Sequence, residues 1–150
     1  MARAIQLSIE GVLSGRGGPF GAVIVRYGEI VATGANMVTA TNDPTAHGEV
    51  VAIRNACQAL GSFQLTGCQI YTSCEPCPMC LAAIYWARCE AIFYGSCAAD
   101  AAAAGFDDVF LYDEMKRPVG EREIPAVNLL RERAKASFDA WRAQGNRIDY

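Results

Sequence analysis

The chain opens on an amphipathic pattern, MARAIQLSIEGVLS, that predicts a helix to about residue 14. A glycine-rich turn, SGRGGPFGA, comes next. Two apolar runs, AVIVR and IVATGA, flank YGE, and such runs around a short glycine turn predict a β-hairpin. ATNDPTA has loop chemistry. Pro44 disfavours helix at Asp43, and Asp43 or Thr45 is placed to cap the next helix. Val50, Ile53, Cys57 and Leu60 then recur at helical spacing and predict that helix over about 46–60. CQIYTSC reads as a strand. PCPMCLAAIYWARC reads as a second helix whose prolines fall before or within its first turn, where a missing N–H is tolerated. EAIFYGS is another strand. An alanine-rich stretch and GFDDVFLYDEM come after it, with a strand expected near Ile124 and a last helix over about 128–143.

Strands alternating with helices predict an α/β layered domain. No repeat, linker or second domain is visible, so residues 1–150 read as one domain.

Composition narrows the chemistry. Apolar residues are 52% of the chain and charged residues 19%, as in a globular protein. The net charge of −3 offers no broad attraction for a phosphate backbone, so no nucleic-acid partner is expected. The start lacks the continuous apolar run of a signal peptide, and no stretch approaches a membrane span. Seven cysteines, an odd number, without an export signal point to a reducing, cytoplasmic compartment, where clustered thiols bind metal or react.

Cys77 and Cys80 form C-x-x-C at a predicted helix start, where residues three apart share a face. Alone, that pair fits a redox couple or half of a structural zinc site, with His47, Cys74, Cys68 and Cys89 as candidates for closure. The only histidine lies in TAHGEV. With His47, Cys77 and Cys80 as ligands, two thiolates and an imidazole suit zinc and leave a fourth position for water. Such a water loses its proton with a pKa of roughly 7 in favourable sites. Glu49 is the candidate base, and a spacing of two on a helix turns it away from the imidazole's direction. Both ligand segments begin helices, whose positive ends stabilise thiolates. A lone histidine, or a C-x-x-C, is more often structural. The ordered pair H-x-E and P-C-x-x-C is much harder to obtain by chance.

That pair is the signature of zinc nucleobase deaminases. Together GGPFGAVIV, NDPTAHGEVVAIR, IYTSCEPCPMC, AAIYWAR and AGFDD resemble the guanine deaminase branch of the zinc-dependent cytidine/deoxycytidylate deaminase family, in the cytidine-deaminase-like superfamily. The resemblance runs from Gly17 to Tyr150. It implies a three-layer α/β/α fold with a central five-stranded mixed sheet. It also implies one Zn²⁺ per subunit on His47, Cys77 and Cys80, and Glu49 as proton shuttle. The common family form is H-A-E. Gly48 fills the variable slot here, which leaves the chemistry intact and alters the loop or pocket at most slightly. The implied reaction is hydrolytic deamination of guanine to xanthine and ammonia.

A flat base needs a stacking face and a few polar partners. Phe20 and Trp86 are aromatic candidates, Trp86 because it follows the ligand helix. Asn36, at the end of the second hairpin strand, could pair with a purine edge through both amide groups. Within GFDD, Asp108 suits guanine's adjacent N–H donors, while either aspartate alone could simply cap the next segment. The resemblance favours Asn36 and Asp108 as contacts. It also implies that a C-terminal tail, about 128–150, closes the pocket and brings in Tyr150, with exchange between two subunits of a homodimer as one way to do so. Competing readings are deamination of cytosine, guanosine or an aminated triazine, and tRNA adenosine deamination. From another class comes a non-catalytic zinc module, which would have no use for Glu49.

Overall fold

The hairpin turn is made by two residues of positive φ, Tyr27 (53°) and Gly28 (83°). That is the geometry whose twist matches the flanking strands. It joins β1 (Gly21–Arg26) to β2 (Glu29–Ala35) in the computed structural model, which describes residues 1–149. β1 also pairs antiparallel with β3 (Cys68–Cys74), and β3 pairs parallel with β4 (Ala91–Ser96). The order is β2-β1-β3-β4, a mixed sheet.

Alternation along β1 sorts two cores onto opposite faces. Val23 packs with Ala4 and Leu7 of α1 (Ala2–Leu13). Ala22 and Ile24 pack with Ala52 and Ala56 of α3 (Gly48–Leu60) and Ile84 of α4 (Pro78–Trp86). Helix, sheet and helices form the three expected layers. Ile24, Leu65, Ile70 and Ile84 are fully buried, each contributing about 1.5–3 kcal/mol of apolar burial. Gly61, in the left-handed conformation, ends α3. A one-turn helix α2 (Val38–Thr41) and α5 (Ala98–Ala103) border the ends of β2 and β4.

The sheet has four strands among the described residues, not five. No strand forms near Ile124: Pro125 comes directly after it without an N–H to donate, and residues 117–130 are exposed. Asp43 does not cap α3 either. Its carboxylate takes the Thr45 N–H at 2.8 Å and hydroxyl at 2.7 Å, closing the loop on itself, and His47 is the N-cap residue.

The chain divides into two compact units, Met1–Tyr112 and Asp113–Tyr150. All the layers above belong to the first. The second contains a short 3₁₀ turn (Val119–Glu121) and α7 (Arg131–Ala143), in which only Trp141 is even half-buried. The sequence boundary between them falls within α6 (Val109–Lys116). No helix of the described residues is long and apolar enough to cross a membrane.

Candidate active site

Two helix starts face each other across the carboxyl end of β3. His47 is the N-cap of α3 and Cys77 the N-cap of α4, with Pro78 at the first helical position. Each carbonyl accepts the first helical bond, from Val51 at 2.9 Å and Leu81 at 2.8 Å. The helix dipoles therefore point their positive ends at the sulfurs. Cys80 follows on the same face of α4, fully buried.

His47 Nδ1 lies 3.5 Å from Cys77 Sγ and 3.5 Å from Cys80 Sγ, and the three ligand atoms lie within 4.8 Å of one another. Tetrahedral zinc with ordinary bond lengths sets sulfur and nitrogen about 3.5–3.6 Å apart. The donor set thus fits zinc by distance as well as chemistry. The Cys80 thiol hydrogen-bonds Cys77, lowering the Cys77 thiol to about 4 and raising Cys80. Hydrogen bonding to Cys77 raises His47. Cys74 lies outside this group: its thiol faces the Cys97 carbonyl at 3.7 Å.

Glu49 sits in the first turn of α3, only 6% exposed, with Oε2 3.4 Å from Cys80 Sγ. Burial pushes its pKa up. A carboxyl group that resists ionisation more than usual beside a metal centre is suited to carry a proton both ways.

Above these groups opens a cavity of about 340 Å³, lined by His47, Glu49, Cys77, Asn36, Phe20 and Asp108 among others. Its volume suits one small ligand. The Phe20 and Phe106 rings meet edge to face at 5.0 Å and 88°. Asn36 is buried, and its Oδ1 accepts the N–H groups of Gly18 and Val38, each at 3.2 Å. Its oxygen is thus committed to the main chain, and only the Nδ2 donor is left for a ligand. Asp107 and Asp108 both line the cavity. Asp107 Oδ1 takes the Val109 N–H at 2.9 Å at the start of α6, while Asp108 faces the cavity with its pKa raised by burial.

Trp86 is not brought to this cavity. It ends α4, nine residues past Cys77, and is 68% exposed. At 1.5 Å per residue that is about 13 Å along the axis. Tyr150 lies outside the described residues. Phe106 and Glu75 line the cavity, and the sequence reading singles out neither. Phe106 stands inside the GFDD motif. Glu75, two residues before a ligand, accepts the Ala98 N–H at 3.1 Å and ties the metal loop to α5. No lysine or arginine is among the described lining residues, whereas Glu49, Glu75, Asp107 and Asp108 are.

Comparison with known proteins places this geometry. Residues 1–96 match the model of the cytidine and deoxycytidylate deaminase zinc-binding region. A guanine deaminase of Bacillus subtilis is 55% identical over 150 residues, covering 100% of this chain and 96% of that protein. The crystal structure of guanine deaminase from that organism superposes with a TM-score of 0.97 at 56% identity, covering 99% of this chain and 95% of that one. A tRNA-specific adenosine deaminase of Agrobacterium fabrum is 46% identical over 78 residues, 52% of this chain and 51% of that protein. The guanine deaminase match spans the whole chain and the tRNA-specific adenosine deaminase match only about half of it. With its ligand set, buried glutamate and layered sheet, the chain belongs to the zinc-dependent cytidine and deoxycytidylate deaminase family.

Proposed function

We propose that the protein hydrolyses guanine to xanthine and ammonia. The observation that carries this reading is Glu49, buried beside three zinc-compatible ligands at the floor of a cavity sized for one small ligand. The guanine deaminase of Bacillus subtilis, alike over the full length, supports guanine as the base.

Zinc on His47, Cys77 and Cys80 supplies Lewis acidity that makes a water acidic near neutral pH. The protein's own groups do the rest. Water's oxygen bonds to the ring carbon bearing the amino group, and the carbon–nitrogen bond breaks. Glu49 takes one proton from water and passes it to a ring nitrogen, then takes the second from the new hydroxyl, which becomes the carbonyl, and passes it to the amine, which leaves as ammonia. Asp108 accepts guanine's adjacent N–H donors, while Asn36 Nδ2 donates to an acceptor on the base. Phe20, braced by Phe106, offers the apolar face.

The acidic lining, with the net charge of −3, disfavours phosphate-bearing ligands and hence nucleic acid. Residues 1–150 act as one catalytic domain in the cytoplasm, as a homodimer. The tail from about 128 closes the pocket and contributes Tyr150, exchanged between subunits. The exposed Val127, Leu129, Leu130 and Phe138 support this, since a second copy would cover them. Sedimentation tests the dimer, and removal of the last few residues raises KM for guanine sharply if the tail closes the site; unchanged kinetics argue against closure.

Ammonia release across guanine, cytosine, adenine, their nucleosides, aminated triazines and tRNA tests the substrate. Guanine is turned over with the highest kcat/KM. A clear preference for cytosine, a nucleoside, a triazine or tRNA overturns it.

A further inference from the structure

The first turn of α3 is held from two sides where no side chain fits. On the β2 side, a Cβ on Gly34 would fall within contact radius of the Gly48 carbonyl and the Ala52 amide. On the β1 side, a Cβ on Gly48 would stand 3.0 Å from the Phe20 carbonyl oxygen, 3.3 Å from its carbon and 3.3 Å from Gly21 Cα. These neighbours are all main-chain atoms. A methyl group at 48 therefore requires the Phe20–Gly21 backbone to retreat by a few tenths of an ångström, because the helix cannot back away toward Gly34. Gly48 does not have positive φ, so its contribution is space and not conformational freedom.

That backbone leads into the cavity's walls. The Phe20 carbonyl accepts the Asn36 N–H at 2.8 Å, and the Phe20 ring rests edge-on against Phe106 at 5.0 Å. Moving Phe20 moves the apolar face and the amide donor together, away from the helix that carries Glu49. We infer that Gly48 is a positioning residue: by letting the Phe20 main chain lie against the first turn of α3, it sets the width of the slot between the base-reading wall and the proton carrier. The inference rests on the cavity being a nucleobase site.

The test compares Gly48→Ala, Phe20→Leu and the double variant in the zinc-loaded full chain. In Gly48→Ala, bound zinc and melting temperature are retained and kcat stays within about twofold. KM for guanine rises roughly three- to tenfold, a fraction of the hundredfold that a full ångström of misplacement can cost. Because Gly48 acts through Phe20, the double variant has the KM of Phe20→Leu alone. An unchanged KM in Gly48→Ala, a loss of kcat at constant KM, or additive effects overturn the inference. So does loss of zinc or of the fold, since the contact would then serve stability and not slot width. If the unaltered protein turns over another base instead of guanine, the substrate proposal fails, while the same KM comparison on that base still decides the role of Gly48.

Discussion

Glu49 Oε2 lies 3.4 Å from the sulfur of Cys80, although the two residues are 31 positions apart and on different helices. A carboxylate that close to a thiolate is unfavourable unless a cation offsets both charges or a proton sits between them. The arrangement makes sense around a divalent ion held by His47, Cys77 and Cys80, with Glu49 outside that group as the proposed proton carrier.

Removing the metal tests that charge balance. A chelator strips the zinc and abolishes ammonia release, and added zinc restores it. Cys80→Ala lowers bound zinc from about one per chain to near zero at micromolar metal. Persistent activity in metal-free protein contradicts the account.

Asn36 divides its amide between two tasks. Its oxygen holds Gly18 and Val38, and its nitrogen is the donor proposed for the base. Asn36→Asp keeps the acceptor and loses the donor. The melting temperature is retained, while KM for guanine rises by about tenfold or more, the equivalent of one lost hydrogen bond of roughly 1.4 kcal/mol. Steady-state kinetics beside a thermal melt separate the two effects, and an unchanged KM contradicts the assignment.

Gly34 is a packing requirement of a different kind. Gly34→Ala drives a methyl into the main chain of α3, and the helix that carries His47 and Glu49 has to move. Urea unfolding records a loss of about 1–3 kcal/mol, as for other overpacked interiors. A wild-type midpoint contradicts this reading.

Asp100 links stability to pH. Its carboxylate accepts the Cys97 N–H at 2.9 Å at the start of α5, and that hydrogen bond lowers its pKa below the usual 3.8. A carboxyl group whose folded pKa lies below its unfolded one stabilises the protein above 3.8 and loses that contribution as pH falls through the folded value. Wild type therefore melts above Asp100→Asn at pH 7, and the gap closes in strong acid. A gap independent of pH contradicts the linkage.

Much of the site could be read from the chain because its chemistry is local. His47 and Glu49 share one helix start and Cys77 and Cys80 another, so spacing alone gives their relative directions. The cavity walls are not local. Phe106 reaches Phe20, just before β1, only after β4 and α5, and no spacing encodes that contact. Trp86 illustrates the converse: nearness in sequence to a ligand becomes distance along a helix axis. The expected fifth strand fails for a local reason, Pro125 beside Ile124, that outweighs a short apolar run.

The most direct measurement is guanine turnover by Glu49→Gln, made alongside zinc analysis. Glutamine keeps the shape of the side chain and cannot carry the proton. The account predicts one zinc per chain, as in wild type, and a fall in kcat of about a thousandfold or more. A Glu49→Gln protein with normal zinc and full activity would contradict the assigned role of Glu49 and the mechanism built on it.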